Sequence, residues 1–171
     1  MKSLMNTWLD WIISLNVETM DIKYYREQLA EWAGLINGKQ DTPVIESIHL
    51  GVLEGHLIRK IRDKKGVLLC ANYPDFKRVV AEDSHSNEYR CVLYLIEKVP
   101  SGSLTDEQEL MHYAKIEQLM KQLVMIVQGC SWVCNETRLE TSQLKVEWEY
   151  DIFGGFNGQS LSFKMEEYTD D

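Results

Sequence analysis

Between positions 144 and 166, apolar and polar residues alternate along two segments that flank a glycine-rich stretch at 154–158. The first segment contains an apolar set and a charged set, Leu144, Val146, Trp148 and Tyr150 against Lys145, Glu147 and Glu149. A period of two places one set against a core and the other in water, which is typical of a half-buried strand. Asn157-Gly158 tolerates the positive φ that a tight turn needs. The pattern predicts an antiparallel hairpin that turns at these residues.

Helical spacing dominates residues 1–38, where apolar positions recur three and four apart. A first helix is predicted over about residues 3–15, with the stripe Leu4, Trp8, Trp11, Ile12 and Leu15. A second helix is predicted from about Asp21 to Ile36, with Asn37-Gly38 as its stop.

A third helix is predicted after Thr42-Pro43, which is typical of an N-cap followed by proline at the first helical position. Its apolar stripe would run to Ile61, although Gly51 and Gly55 weaken the pattern. The basic residues at 59–65 suit the C-terminal end of a helix dipole, and we prefer that interpretation to a phosphate-binding patch.

The middle of the chain predicts three strands and one long helix. The strands are expected at 67–71, at 76–82 and, after a turn-rich loop at 83–87, at 89–99, where apolar residues on both faces favour a central position. Thr105 and Gln108 have the spacing of a capping box, and the helix that follows is expected to end near Gly129. Residues 132–139 are expected to form a further strand.

These elements indicate a single α+β domain over residues 1–171. It would consist of a helical N-terminal segment at 1–38 and a sheet-and-helix core at 42–168. We expect a mainly antiparallel sheet with the long amphipathic helix packed on one face, because the strands are spaced as in hairpins and no regular βαβ alternation is present. Trp148, Leu93, Leu123 and Met120 are expected to share one core.

Composition excludes several kinds of partner. The formal net charge of the 171 residues is −9, which disfavours binding to nucleic acid and to anionic membrane surfaces. No run of 18 apolar residues is present, and Asp10 interrupts the apolar stretch near Met1, so neither a membrane span nor a signal peptide is expected. A cytoplasmic protein with reduced thiols is therefore predicted.

Candidate metal sites in the sequence are incomplete. Cys130 and Cys134 have near-zinc spacing, but Cys70 and Cys91 stand alone in apolar strands and cannot supply a second pair of ligands. His49 and His56 could share a helical face with Glu46 or Glu54, yet they lack a His-Glu-x-x-His motif. We therefore predict no structural zinc, no disulfide and no cofactor.

Other polar clusters also fall short of a catalytic motif. The run Glu82-Asp83-Ser84-His85 fits a turn better than a catalytic triad, since triads are assembled from separated segments. Asp75-Phe76-Lys77 lacks the additional acids of a metal-dependent nuclease. The glycine-rich stretch at 154–158 lacks the Lys-Ser/Thr of a phosphate-binding loop. No catalytic residue is predicted.

The order of elements resembles that of small tail-terminator or neck proteins of tailed phages and prophages. The likeness covers residues 42–168 and includes Val67-Leu68-Leu69 leading to Tyr73-Pro74, a loop rich in Asp and Ser before a long strand, and the closing Gly-x-Ser-Leu-Ser-Phe strand at 158–163. The two helices predicted before residue 38 depart from that layout. The resemblance implies a noncatalytic α+β subunit that forms a ring, is virion-associated, and contacts copies of itself or other virion subunits.

We therefore predict a noncatalytic structural protein that works by self-association or docking. Glu147, Glu149 and Asp151 are the candidate partner contacts, because acidic residues on an exposed strand can steer a basic partner. Two alternatives remain open. One is an acidic binding module of the immunity type, and the other is an enzyme whose site the sequence does not reveal.

Overall fold

The structure is a computed structural model that describes residues 20–39, 41–81, 84–99, 102, 104–129, 137–139 and 144–169. The helix predicted over residues 3–15 lies outside these ranges. In chain order the elements are α1 (Ile22–Asn37), β1 (Ile45–Gly51), α2 (Glu54–Ile61), β2 (Val67–Asn72), β3 (Asp75–Ala81), β4 (Ser84–Lys98), α3 (Asp106–Gly129), β5 (Thr137–Leu139), β6 (Lys145–Ile152) and β7 (Phe156–Thr169). The α+β prediction is confirmed.

The sheet is built around the long antiparallel pair β4 and β7, which stay in register from His85↔Thr169 to Lys98↔Phe156. On the outer side of β4, β3 pairs with its first half and β2 with its second half. On the outer side of β7, β5 and β6 occupy corresponding positions. β1 is parallel to β2, so the sheet is mixed. The central position predicted for the strand at 89–99 is confirmed.

Two buried clusters lie on opposite sides of the sheet, because successive residues of a strand point to opposite faces. The larger cluster joins α1 and α3 to β4 and β7, and includes Leu93, Leu123 and Met120. The smaller cluster joins Leu57 and Ile61 of α2 to the other face of β2 and β4 and to the β6–β7 turn.

Both long helices begin at a side-chain cap. Asp21 caps α1, since its carboxylate accepts a hydrogen bond of 2.7 Å from the backbone N–H of Tyr24. At the start of α3, the N–H of Gln108 donates to Thr105 Oγ1 at 3.3 Å and the N–H of Thr105 donates to Gln108 Oε1 at 3.0 Å. The predicted capping box is confirmed.

The helix predicted from Thr42 to Ile61 is wrong in its first half. Residues Ile45–Gly51 form β1, and only Glu54–Ile61 is helical. Pairing with β2 stabilises the extended conformation, and that partner lies too far along the chain for local spacing to reveal. A Cβ at Gly51 would lie 2.6 Å from Leu57 Cγ, so glycine allows the strand to end close to α2.

Two boundaries predicted in the sheet are also wrong. The loop expected at 83–87 is largely strand, because β4 begins at Ser84, where it pairs with β3, and pairs with β7 from His85 onward. The hairpin is confirmed, but its turn is Phe153-Gly154-Gly155, with φ of 50°, 82° and 105°. Asn157 and Gly158 lie within β7 and not in the turn. Of the strand predicted at 132–139, residues 132–136 lie outside the described ranges.

A polar contact ties α3 to the end of β4. Glu97 accepts hydrogen bonds from His112 Nδ1 at 3.1 Å and from Lys115 Nζ at 2.5 Å, and its side chain is 21% exposed. The bond from His112 is the main cause that lowers the pKa of Glu97 below its usual value of 4.5. The folded state therefore favours the ionised carboxylate.

We expect Glu97→Gln to lower the free energy of unfolding at pH 7 by about 1–3 kcal/mol, since the amide lacks the negative charge that strengthens the hydrogen bonds from His112 and Lys115. Because the folded pKa of Glu97 is depressed, its contribution is present above pH 4.5 and is lost as the pH falls through the folded pKa. Urea unfolding between pH 7 and pH 3 should show the wild-type advantage shrinking with acid. Lys115→Ala serves as a control with a smaller loss, because Lys115 is 44% exposed. An equal gap at both ends of this pH range would contradict the prediction.

Candidate docking surface

β6 lies at one edge of the sheet. Within the described residues it pairs only with β7, from Lys145↔Ser162 to Ile152↔Phe156, and the ladder shifts between Glu149 and Ile152. Backbone groups on the outer side of β6 therefore have no strand partner in the part of the chain that the structure describes. Such an edge is a template for another extended segment.

One face of β6 is apolar and exposed. Its residues are Val146, Trp148 and Tyr150, which are 41%, 55% and 68% exposed. We call these three residues the β6 apolar face. Trp148 was predicted to belong to the core with Leu93, Leu123 and Met120, and that prediction is wrong. On this side a ring of α3 contacts Trp148 but leaves more than half of the residue exposed.

The ring that reaches Trp148 belongs to Tyr113 of α3. The two ring centroids lie 5.2 Å apart at an interplanar angle of 81°, an edge-to-face arrangement that fixes the orientation of the indole. Leu110, one helical turn before Tyr113, is 69% exposed and extends the apolar surface along α3. Exposed residues of this size in neighbouring elements are a common feature of protein interaction sites.

The opposite face of β6 is acidic. Glu147 is exposed and forms an ion pair of 2.9 Å with Lys145. Glu149 is half-buried and accepts a hydrogen bond of 2.6 Å from Ser160 Oγ. Of the three candidate contact residues, these two share one face, as the alternation predicts.

Asp151 belongs to the irregular end of β6 and not to its acidic face. Its φ of 53° is unusual for a residue other than glycine, and its backbone N–H donates to Asn157 Oδ1 at 2.7 Å. The bond from Asp151 explains why Asn157 is buried within β7 rather than exposed in a turn. The structure therefore separates Asp151 from Glu147 and Glu149.

Glu149 also lines a small cleft that sequence reasoning missed. The cleft has a volume of about 210 Å³ and brings together residues from α2, β2, β4, β6 and the β6–β7 turn: Glu54, Asn72, Tyr94, Glu149, Ile152 and Phe153. No signal in the sequence identifies it, because each element supplies only one or two residues. Its volume falls below the roughly 300–1,000 Å³ typical of small-molecule sites.

The chemistry of this cleft favours bound cations over nucleophilic attack. Burial, followed by the charge of Glu149, raises the pKa of Tyr94, so its phenol stays protonated at neutral pH. Phe153 contacts Tyr94 edge to face at 5.1 Å and has a φ of 50°. A strained backbone position beside a cleft is often a sign of a functional site. The carboxylates of Glu54 and Glu149 offer acceptors that suit a lysine or arginine side chain.

The histidines considered as metal ligands have other partners. His49 lies on β1, where its Nε2 is 2.9 Å from Ser47 Oγ, and His56 Nδ1 accepts from the backbone N–H of Val52 at 3.3 Å. The shared helical face considered for this pair is therefore wrong. Across the described ranges, no three or more His, Cys, Asp or Glu residues are grouped so that they could hold a metal ion.

The remaining candidates are structural or lie beyond the described ranges. Burial raises the pKa of both the Cys70 and the Cys91 thiol to about 12, so neither is ionised at neutral pH. Cys130 and Cys134 fall outside the described residues, as do Glu82 and Asp83. Among the helices of the described residues, none combines the length and the hydrophobicity that a membrane span requires.

Comparison with known proteins adds no family assignment. No model of a known protein family matches the sequence, and a search of curated proteins finds no significant match.

Proposed function

We propose that this protein is a noncatalytic docking protein that takes up a protein partner along the β6 edge. The observation that carries this proposal is the exposure of the β6 apolar face on an edge strand. Natural proteins usually protect a long edge strand with charges, proline or a covering element. Within the described residues, the outer backbone groups of β6 have no strand partner, and Val146, Trp148 and Tyr150 are exposed beside them. Such an edge is suited to partner binding by strand addition.

The partner that fits best is an extended segment with alternating apolar and basic residues. As an added strand, it would place its apolar side chains next to the β6 apolar face and its basic side chains next to Glu147 and Glu149. The net charge of −9 favours such a partner over a second acidic chain. The cleft that contains Glu54 and Glu149 would accept one of its lysine or arginine side chains.

More specifically, we propose that the protein is part of a phage or prophage tail or neck assembly. This assignment is supported by the resemblance in element order and by an edge that suits subunit contacts. In that case the partner would be another virion subunit or a second copy of the chain. The acidic face of β6 also favours the alternative of an immunity-type module that neutralises a basic protein surface.

A peptide that alternates valine and lysine tests the proposal directly, and a peptide that alternates valine and glutamate is its matched control. We expect the lysine peptide to bind saturably and the glutamate peptide not to bind, as measured by fluorescence anisotropy of labelled peptides. Glu147→Lys should weaken binding about three- to tenfold, because an exposed attraction becomes a repulsion. Trp148→Ser should weaken it about tenfold or more, since buried aromatic anchors dominate interfaces.

Matched control variants lie on α1. Glu27→Lys makes the same charge change and Leu35→Ser removes an apolar side chain that is 46% exposed; neither should change binding by more than about twofold. Glu147→Lys should also leave the melting temperature within a few degrees, because exposed charges contribute little to stability. Glu149 and Asp151 are poorer choices. The Glu149 carboxylate accepts a hydrogen bond from Ser160, and Asp151 has a positive φ that most other residues adopt less readily than Asp.

Sedimentation velocity over a range of protein concentrations separates the possible partners. A dimer or ring that is lost in Trp148→Ser would identify a second copy of the chain as the occupant of the edge. If neither peptide binds, and the wild type and Trp148→Ser remain monomeric alike, the docking function is wrong.

A further inference from the structure

β3 is a second edge strand, on the side of the sheet opposite to β6. Among the described residues it pairs only with β4, so its outer backbone groups have no strand partner in that part of the chain. Residues 75–80 are exposed on both faces of the strand. The edge of β3 is therefore, like that of β6, a template for pairing with another chain.

β3 has the chemistry of the segment that suits β6. Phe76 and Val80 are 63% and 68% exposed, and Lys77 and Arg78 lie between them in the sequence. The seven residues of β3 include two basic residues and one acidic residue, whereas the eight residues of β6 include one basic residue and three acidic ones. The two edges are therefore complementary in charge, and both present apolar side chains.

The net charge of the whole chain opposes contact between two copies, because it is −9. Charges in solution are screened beyond the Debye length, which is about 8 Å at physiological salt. Paired strands lie closer together than this, at about 4.8 Å. The charged residues on the two edges therefore determine the contact more strongly than the distant ones do.

The strand directions let a second copy add its β3 to β6 without being turned over. β3 and β7 both run antiparallel to β4, and β6 runs antiparallel to β7. β3 and β6 are therefore antiparallel to each other. A second copy that lies beside the first in the same orientation presents its β3 as an antiparallel neighbour of β6, which is the arrangement of most strand pairs in this sheet.

The faces of the two strands agree as well. Phe76 pairs with Tyr89, which belongs to the larger buried cluster. Trp148 pairs with Gln159, which in turn pairs with Leu95 of the same cluster. Directly paired residues point to the same face of a sheet, so the β6 apolar face and the phenylalanine of β3 lie on one side. By alternation, the glutamates of β6 and the lysine of β3 lie on the other side.

We propose that β6 of one copy binds β3 of a second copy as an antiparallel pair. This inference rests on the docking function proposed for β6 and names its partner. In the register that matches the side chains best, three pairs face each other across the contact: Val146 and Val80, Trp148 and Arg78, Glu149 and Lys77. The pairs combine two β-branched side chains, a cation beside an aromatic ring, and an ion pair, which all favour cross-strand pairing.

Shifts of this register are less favourable. A shift by two residues in one direction places Glu149 opposite Asp75, so that two carboxylates repel each other. A shift in the other direction moves Lys77 opposite Asp151, at the irregular end of β6. Arg78 Nη1 also donates to Asn87 Oδ1 within its own chain at 3.4 Å. This bond lies in the plane of the guanidinium, whose face can still stack on an indole ring.

Disulfide crosslinking between two different variants tests the register. Val146→Cys and Val80→Cys are made in separate chains that also contain Cys130→Ser and Cys134→Ser, and the two proteins are mixed under mild oxidation. Opposite residues of an antiparallel pair lie within reach of a disulfide, so the mixture should form covalent dimers about fivefold faster than either variant alone. Val79→Cys replaces Val80→Cys in the matched control, which should be about fivefold slower because residue 79 points to the other face. Equal rates for residues 79 and 80 would overturn the proposed pairing.

Sedimentation velocity of Lys77→Glu tests the contact without engineered cysteines. The two edges differ, so each bound copy keeps one edge for a further copy, and the wild type should form oligomers larger than a dimer. Lys77→Glu should weaken this association about three- to tenfold, because an attraction becomes a repulsion. Lys23→Glu, which makes the same charge change in α1, should alter it by less than about twofold.

Binding of the valine–lysine peptide separates failure of this pairing from failure of the docking function. Lys77→Glu should bind the peptide within about twofold of the wild type, because residue 77 is on the edge opposite to β6. A wild type that binds the peptide but stays monomeric, or whose association is unchanged in Lys77→Glu, would overturn the pairing with β3 and leave the docking function standing. A wild type that neither binds the peptide nor associates would overturn both.

Discussion

Gly158→Ala is expected to lower the free energy of unfolding by about 3 kcal/mol or more. Gly158 lies in β7 between Ile96 of β4 and Glu149 of β6. A Cβ at this position would overlap the carbonyl oxygen of Leu95 and lie 2.9 Å from Ile96 Cα. Both obstacles are backbone atoms, so the central strands must separate to admit a methyl group.

Urea unfolding followed by circular dichroism measures this effect, and Gly34→Ala provides a matched control. Gly34 lies in α1, and a Cβ there would meet nothing within 4 Å. The same added methyl group should stabilise the protein by about 0.5–1 kcal/mol at that position, since alanine favours a helix. If Gly158→Ala costs less than about 1 kcal/mol, the close approach of β4 and β7 is wrong.

Gly158 also illustrates why the hairpin could be predicted while its turn could not. Alternation on both sides of the glycine-rich stretch identifies two strands, because that information is local. Within the stretch, Asn157-Gly158 and Gly154-Gly155 both permit positive φ. The choice between them depends on β4, whose backbone leaves no room for a side chain at 158. The position of the turn therefore depends on Ile96 and its neighbours in β4, which lie 62 residues before Gly158 in the sequence (158 − 96).

The same limit explains the error at β1. Residues 45–51 have no decisive helical or strand pattern of their own, and Leu50 extended an apparent helical stripe into α2. Parallel pairing with β2 resolves that ambiguity. By contrast, α1 and α3 could be predicted closely, since Asp21 and the pair Thr105–Gln108 define their starts through local hydrogen bonds.

The candidate site was predictable only in part. Alternation places Glu147 and Glu149 on one face of β6 and Trp148 on the other, and this is confirmed. However, periodicity does not show which face of a strand is buried, and the prediction assumed that the apolar face of β6 packs against the core. The exposure of Trp148 follows from the edge position of β6 and from the reach of α3. Both are properties of the assembled sheet.

Leu123→Ala tests the packing of the larger buried cluster. Leu123 is fully buried in α3 and shares a cluster with Leu93 of β4 and Phe163 of β7. We expect a loss of about 2–5 kcal/mol in the free energy of unfolding, from the lost burial of the side chain and the cavity left behind. Because the β6 apolar face lies outside this cluster, the effect should appear in stability rather than in peptide binding by the folded protein.

Met125→Ala is the control for this measurement, because Met125 lies two residues further along α3 and is 60% exposed. Its loss should stay below about 0.5 kcal/mol, as for other exposed positions. Urea unfolding of both variants at pH 7 provides the comparison. Similar losses for the two would place α3 in a different rotation about its axis, and Tyr113 would then no longer reach Trp148. A large loss for Leu123→Ala alone would support the orientation of α3 in which Leu123 faces the sheet. The same orientation places Tyr113 beside Trp148 at the exposed β6 edge.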